Sequence, residues 1–268
     1  MIATALSIAG SDPSGGAGIQ ADLKTFSARG VYGMTALTAL TAQNTCGVTA
    51  IEWLSPDFVK AQIHAVFEDV RVGAIKVGMI ANAQIAVAVA QSLQKHAGKI
   101  PVVVDPVMVA KGGARLLEKD AVEAMIQTLI PCARLLTPNL PEAAALLGCT
   151  VATDRSQMEE QAAILMTMGP EAILLKGGHL SGHESPDLLA TQGDLHWLES
   201  ARVDTTNTHG TGCTLSAAVA AELSKGRSMH QAVVTAKSYL QGALKHADSL
   251  QIGQGHGPTH HFFELWNT

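Results

Sequence analysis

Residues 3–30, "ATALSIAGSDPSGGAGIQADLKTFSARG", run through three kinds of sequence in turn. "ATALSIAG" (3–10) is short and mostly apolar and reads as a buried strand. "GSDPSGGAG" (10–18) is a glycine-rich turn, and "IQADLKTFSARG" (19–30) reads as a helix ended by Gly30. The same order recurs down the chain. "AIKVG" (74–78), "PVVVD" (101–105), "ARLLT" (133–137) and "AILLKG" (172–177) are apolar runs, each followed by Gly or Pro and then helical sequence. Runs of this kind are strands covered on both sides, as in a parallel sheet flanked by helices. "SPDFVKAQIHAVFEDV" (55–70) supplies one covering helix, with Ser55 as N-cap, Pro56 at the first position and Val59, Ile63, Val66 and Val70 along one face. "PDLLAT" and "DLHWLES" (186–191 and 194–200) predict a late hairpin, and "SMHQAVVTAKSYLQGALKHA" (228–247) a long helix. The expected architecture is α/β, a three-layer sandwich with a mostly parallel central sheet and helices on both faces. One domain over 1–268 is expected, because there is no repeat, low-complexity tract or linker.

With 268 residues, 47% hydrophobic and 15% charged, the chain can bury a large core. Its net charge of −5 and its three Trp, two Tyr and five Phe leave no basic, aromatic surface for nucleic acid. A small-molecule partner is the expectation. No apolar run approaches the roughly 18 residues that cross a bilayer, and "MIATALSIAGSD" lacks the basic start of a secretion signal, so a cytoplasmic protein is expected. Cys46, Cys132, Cys149 and Cys213 are too scattered for a disulfide framework or zinc site and read as free thiols. The 11 histidines include no HExxH, and His260 and His261 read as packed or solvent-facing.

In open parallel sheets ligands lie beyond the carboxyl ends of the strands. Those ends are polar here: Asp105 closes "VVVDP", Thr137 and Asn139 close "LLTPN", Lys176 closes "LLKGG", and Glu142 follows Asn139 by one helical turn. A carboxylate pair, an amide and an ammonium at one edge suit a nucleotide and its Mg²⁺, with Asp105 and Glu142 as metal ligands, direct or through water, and Lys176 against phosphate charge. Each could instead cap a helix or pair with a neighbour. "NTHGTGCTLSAAVAAEL" (207–223) places Gly210 and Gly212 where polar sequence turns helical. The N–H groups of that first turn form an anion cradle, Thr211 and Thr214 add hydroxyls, and Cys213 sits where the helix dipole favours a thiolate. The bland reading is a helix cap with a small buried cysteine. "GSDPSGGAG" matches neither GxGxxG nor GxxxxGK[ST], which speaks against a Walker-type ATPase. Its loop can still approach a flat ligand, with Asp22 and Gln43 of "TAQNT" offering hydrogen bonds to a heterocycle.

Together "AGSDPSGGAGIQADLKTF", "ALTAQNT", "DPVM", "TPNLPEA", "LLKGGH", "NTHGTGC" and "GPTHHF" resemble the ribokinase-like kinases along nearly the whole chain. Within that superfamily they resemble the hydroxymethylpyrimidine/phosphomethylpyrimidine kinases of thiamine biosynthesis. Most of the superfamily carries an aspartate base where this chain, like that subfamily, has Cys213. The resemblance implies phosphorylation of 4-amino-5-hydroxymethyl-2-methylpyrimidine by ATP and Mg²⁺, first to the monophosphate and then to the diphosphate. It makes Cys213 the candidate base, Lys176 a catalytic cation, and Gly210, Thr211 and Gly212 the anion hole. It assigns Gln43, Asp22, Met79 and Val107 to the pyrimidine pocket, although Met79 reads equally well as core. It assigns Asn139 and Lys237 to the nucleotide side, although Lys237 reads more simply as a solvated lysine. A homo-oligomer, with a dimer favoured, is also implied.

Three other readings stay open. A pyridoxine or pyridoxal kinase belongs to the same superfamily and phosphorylates a similar arm on a small ring. A thiol hydrolase would use Cys213 as nucleophile and His209 as base, but no acid partner for His209 is evident in the sequence. A non-catalytic pyrimidine-binding module would use the fold without turnover.

Overall fold

The computed structural model describes residues 1–80, 82–108 and 119–266. In chain order the elements are β1 (Thr4–Ala9), α1 (Gly18–Ala28), β2 (Tyr32–Leu37), β3 (Ala39–Asn44), β4 (Gly47–Trp53), α2 (Pro56–Asp69), β5 (Ala74–Val77), α3 (Ala83–His96), β6 (Val102–Val104) and α4 (Lys119–Ala124). They continue with β7 (Leu135–Leu136), α5 (Leu140–Leu147), α6 (Arg155–Met166), β8 (Ala172–Lys176), β9 (Asp187–Thr191), β10 (Asp194–Leu198), α7 (Thr211–Ser224) and α8 (Met229–Lys245). Eight strands form one sheet in the order β10-β9-β8-β7-β6-β5-β1-β2. The strands from β2 to β8 in that order pair in parallel, and the expected late hairpin adds antiparallel β9 and β10 at one edge. Strands β3 and β4 pair only with each other, as a separate hairpin beside β1 and β2.

Alternation along the strands divides the core in two. Leu6, Ile8, Ile75, Val77, Val102, Val104, Leu136, Ile173 and Leu175 pack with apolar residues of α2, α3, α5 and α6 on one face. Ala5, Ala74, Val103, Leu135 and Leu174 pack with α7 and α8 on the other. The expected helix at 55–70 forms with Ser55 accepting from Phe58 N–H, and it buries Val59 and Ile63, while Val66 and Val70 are only half-buried. Helix α7 is unusually deep, with every residue from Thr214 to Leu223 buried. It packs along β1, β5 and β6, with its last residue Ser224 beside Gly73 at the amino end of β5, and this placement brings its N-terminus to the polar strand ends.

Candidate active site

On the α7 face, the last inward position of each central strand turns polar. Ala5 is followed by Ser7 on β1, Ala74 by Lys76 on β5, Val103 by Asp105 just past β6, Leu135 by Thr137 just past β7, and Leu174 by Lys176 on β8. Strand pairing sets Ser7 level with Lys76, Asp105 and Thr137 one inward position further along, and Lys176 level with Asn139 one further again, so the polar positions form a diagonal row across the sheet. The row is wired together. Lys176 Nζ donates to Asp105 Oδ1 at 2.9 Å, Thr137 Oγ1 donates to the same oxygen at 3.1 Å, and Ser216 Oγ of α7 donates to Oδ2 at 3.1 Å. Lys176 Nζ also lies 3.9 Å from Glu142 Oε2. Asp105, Glu142 and Lys176 thus come together as their strand-end positions suggested.

Burial works to raise the Asp105 carboxyl, but Lys176 and Lys76 outweigh it and hold it below the usual carboxylate range. Glu142 goes the other way: burial and the nearby Asp105 charge push it up to about 7 against the pull of Lys176. Glu142 and Asn139 also form a capping box at the start of α5, Asn139 Oδ1 accepting from Glu142 N–H and Glu142 Oε2 accepting from Asn139 N–H, each at 2.8 Å. The helix-cap reading of this pair therefore holds alongside any ligand role.

Helix α7 begins at this row. Gly210, its N-cap, has φ +77°, and a Cβ there would lie 1.8 Å from Gly16 O, so only glycine fits against the first glycine-rich loop. A Cβ on Gly212 would sit 3.3 Å from Lys176 Nζ and 3.5 Å from Asp105 Oδ2, which brings the bare backbone close to both. The hydroxyls expected to join this cradle are turned elsewhere. Thr211 Oγ1 donates to Thr208 O at 2.6 Å, and Thr214 Oγ1 is buried 3.1 Å from His261 Nε2. The Thr211 N–H, expected in the anion hole, is also taken up, donating to Thr208 O at 3.3 Å, so the cradle that remains is the N–H groups of Gly210 and Gly212 with Lys176 opposite.

Cys213, half-buried at this turn, does not carry the thiolate expected from its place on the helix. Burial pushes its thiol up to about 11; Lys76 and the Gly18 N–H pull it down, and Asp22 and Asp105 oppose them. Desolvation of the charged form wins over the helix end because two carboxylates stand nearby. Lys76 is fully buried, and its Nζ donates to Asp22 Oδ2 at 2.9 Å, where Ser7 Oγ also donates at 2.6 Å. Asp22 is itself fully buried, and among the described residues its Oδ1 has no hydrogen-bond partner.

The acid partner that the sequence did not reveal for His209 is Asp12, whose Oδ2 lies 2.7 Å from His209 Nε2. Asp12 also accepts from Ser14 N–H, Ser14 Oγ and Ala17 N–H, so it ties the two glycine-rich loops together. The Gln43 amide stands 3.4 Å from the same imidazole nitrogen. Met79 packs in the core with its methyl 2.3 Å from where a Gly10 Cβ would be, and Val107 is half-buried just beyond Asp105. Lys237 is not solvated: it is buried, and its Nζ donates to Asp187 Oδ2 at 2.6 Å. His260 and His261 are buried near the C-terminal end.

Sequence reasoning missed Ser7, Lys76, Asp12, Ser216 and Asp187. A lysine at an inward position of the apolar run "AIKV" was the available signal for one of them. Among the described residues no group of three or more His, Cys, Asp or Glu is arranged to hold a metal. Asp105 and Glu142 fit a Mg²⁺ that takes most of its ligands from phosphate and water, since both face the cradle and Glu142 is a buried carboxyl short of positive charge.

Three comparisons set this site among known proteins. A protein from Rhizobium meliloti (strain 1021) named hydroxymethylpyrimidine/phosphomethylpyrimidine kinase is 53% identical over 266 residues, which covers 99% of both chains. The structure of a Bacillus subtilis pyridoxal kinase in an ADP complex superposes with a TM-score of 0.91 at 38% identity and covers 100% of each chain. That of a phosphomethylpyrimidine kinase from Clostridium difficile 630 superposes with a TM-score of 0.81 at 43% identity, covering 91% of this chain and all of the other. The family model described as phosphomethylpyrimidine kinase matches residues 12–260, a span that takes in most of the first glycine-rich loop, all of the second, every strand end of the row but Ser7, and the start of α7, and this chain belongs to that family.

Proposed function

We propose that the protein uses MgATP to phosphorylate 4-amino-5-hydroxymethyl-2-methylpyrimidine to its monophosphate and then to its diphosphate, as a kinase of thiamine biosynthesis. The observation that carries this reading is the meeting of the α7 N-terminus with Lys176 and Asp105 at the carboxyl edge of the sheet. In the first step the hydroxymethyl oxygen attacks the γ-phosphorus, its proton leaves, and the bond from that phosphorus to the bridging oxygen of ADP breaks. In the second step a phosphate oxygen of the monophosphate is the attacking atom.

Lys176 and the N–H groups of Gly210 and Gly212 stabilise charge on the transferred phosphoryl group. Asp105 and Glu142 would hold Mg²⁺, partly through water, and the ion would neutralise phosphate charge when bound. Gln43 recognises the ring, Met79 and Val107 wall it, and Asn139 faces the nucleotide, while Asp22, fully buried on Lys76 and Ser7, supports the pocket from behind without touching the ring. Cys213, in the minor thiolate form, is the candidate acceptor of the hydroxymethyl proton.

The pyridoxal kinase reading keeps some weight because a pyridoxal kinase superposes over the whole chain. The more identical Rhizobium relative favours the pyrimidine. A coupled assay of ADP release with the hydroxymethylpyrimidine, its monophosphate and pyridoxine decides between them. Turnover of pyridoxine alone would overturn the pyrimidine reading, and no ADP from any acceptor would leave a binding module. The homodimer implied by the resemblance is a separate expectation, checked by sedimentation. Exposed Leu40, Trp53 and Phe58 on and beside the β3-β4 hairpin offer it an apolar surface.

A further inference from the structure

Lys176 ends β8 opposite Asp187, the first residue of β9. Asp187 Oδ1 accepts from the N–H of Gly177, the residue after Lys176, at 2.9 Å. Its other oxygen accepts from Lys237 Nζ at 2.6 Å, and the same ammonium donates to Ser185 O at 2.7 Å. Both charged side chains are over nine-tenths buried. Lys237 comes from the middle of α8, so the helix beside α7 on this face reaches the turn that leaves the phosphate-facing lysine. The fit is close, since a Cβ on Gly177 would lie 1.9 Å from Pro186 O. From outside, Arg202 holds the same loop by donating to the carbonyls of Gly178, Leu180, Gly182 and Glu184.

We propose that Lys237, acting through Asp187, is a positioning residue for Lys176 and the loop at 177–185, and that it makes no contact with the nucleotide. A buried ion pair is a poor device for stability alone, because desolvating two charges offsets most of their attraction. What this pair does is fix one orientation of the Asp187 carboxylate, and with it the Gly177 N–H and the root of the Lys176 side chain. A small misplacement of Lys176 would be felt in the transfer step, where geometry governs rate.

The inference rests on the kinase reading above, and it separates Lys237 from the nucleotide side. The test compares Lys237→Met, Asp187→Asn and the double variant of the full chain. kcat and KM are measured for MgATP, with the hydroxymethylpyrimidine and its monophosphate as acceptors. Each single change should lower kcat/KM for MgATP by about tenfold, equally for both acceptors and with the acceptor KM unchanged, and the double variant should be no more than about twofold worse than either. Lys237→Arg should restore most of the loss. If a single variant fails to fold, the double variant, which buries no charge, still gives the readout.

Additive losses would overturn the proposal, as would an Asp187→Asn variant with normal MgATP kinetics beside a damaged Lys237→Met, because Lys237 would then act on the nucleotide directly. A lowered melting temperature with unchanged MgATP kinetics would reduce the pair to scaffolding. A wild-type protein that phosphorylates neither pyrimidine would bring down the kinase reading first, and this inference with it.

Discussion

Cys213 shows most clearly where a residue's neighbours overrule its address in the sequence. A helix N-terminus lowers a thiol's pKa, but burial beside Asp22 and Asp105 pushes this one up to about 11. At neutral pH it is a thiol, and exposed Cys46 and Cys149 should be alkylated before it; mass spectrometry that finds Cys213 modified first at pH 7.5 would contradict this. The same shift separates the two phosphorylations. An alcohol must lose its proton as it attacks, and a positioned base is worth roughly 10²–10⁴-fold. A phosphate monoester, with a second pKa of about 6, is already ionised. Only the thiolate can take that proton, so Cys213→Ala should slow transfer to the hydroxymethylpyrimidine more than to its monophosphate chiefly toward pH 9, and Cys213→Asp should recover part of the first rate. In the wild type the thiolate fraction grows about tenfold per pH unit below its pKa, so the alcohol step should climb from pH 7 to 9 while the monophosphate step stays nearly level. Equal fractional losses in single-turnover rates for the two acceptors would leave Cys213 as part of the cradle only.

At the level of elements, the start of α5 does two jobs that substitutions can separate. Asn139 caps the helix, and its loss to Ala should cost about 1 kcal/mol of stability. Asn139→Asp keeps a cap of similar strength. If the amide serves the nucleotide, the Asp variant should melt like the wild type yet show a raised KM for MgATP; normal kinetics would make Asn139 a cap alone. Asp12 works between elements, joining the loop before α1 to the one before α7. Burial works to raise its carboxyl, but hydrogen bonds from His209 and Ser14 hold it at about 2, below the ordinary 3.8. The stability this supplies, about 2 kcal/mol, is complete above pH 4 and drains away as pH falls toward 2. Urea melts of wild type and Asp12→Asn should accordingly converge on acidification. This tie was illegible in the sequence, since its partners lie 197 residues apart. The strands and helices were legible because apolar runs and caps are local signals, as "SPDF" shows for α2. The β3-β4 hairpin was not, because "ALTAQNT" and the segment after it face solvent on one side and leave no continuous apolar run.

For the whole molecule, the sequence disclosed which strand ends carry polar groups but not their order across the sheet, which depends on long-range pairing. Asp105, Lys176 and Glu142 were visible because each closes an apolar run. Lys76 was hidden inside one, and only the period-two alternation of a paired strand turns it toward Asp22 and Cys213. The same alternation bears on cooperativity. Leu135 and Leu136 are neighbours on β7, both fully buried, yet one belongs to the α7–α8 core and the other to the α2, α3, α5 and α6 core. Two cores that share the central strands β1, β5, β6, β7 and β8 cannot melt independently, because unfolding either exposes the back of the other. Leu135→Ala and Leu136→Ala should each cost about 2–5 kcal/mol and lower the same single transition. In calorimetry the van't Hoff and calorimetric enthalpies should agree for the wild type and both variants. Two resolved transitions, with each variant shifting a different one, would mean that the layers fold as separate units and that the row of strand ends can be disrupted from one face alone.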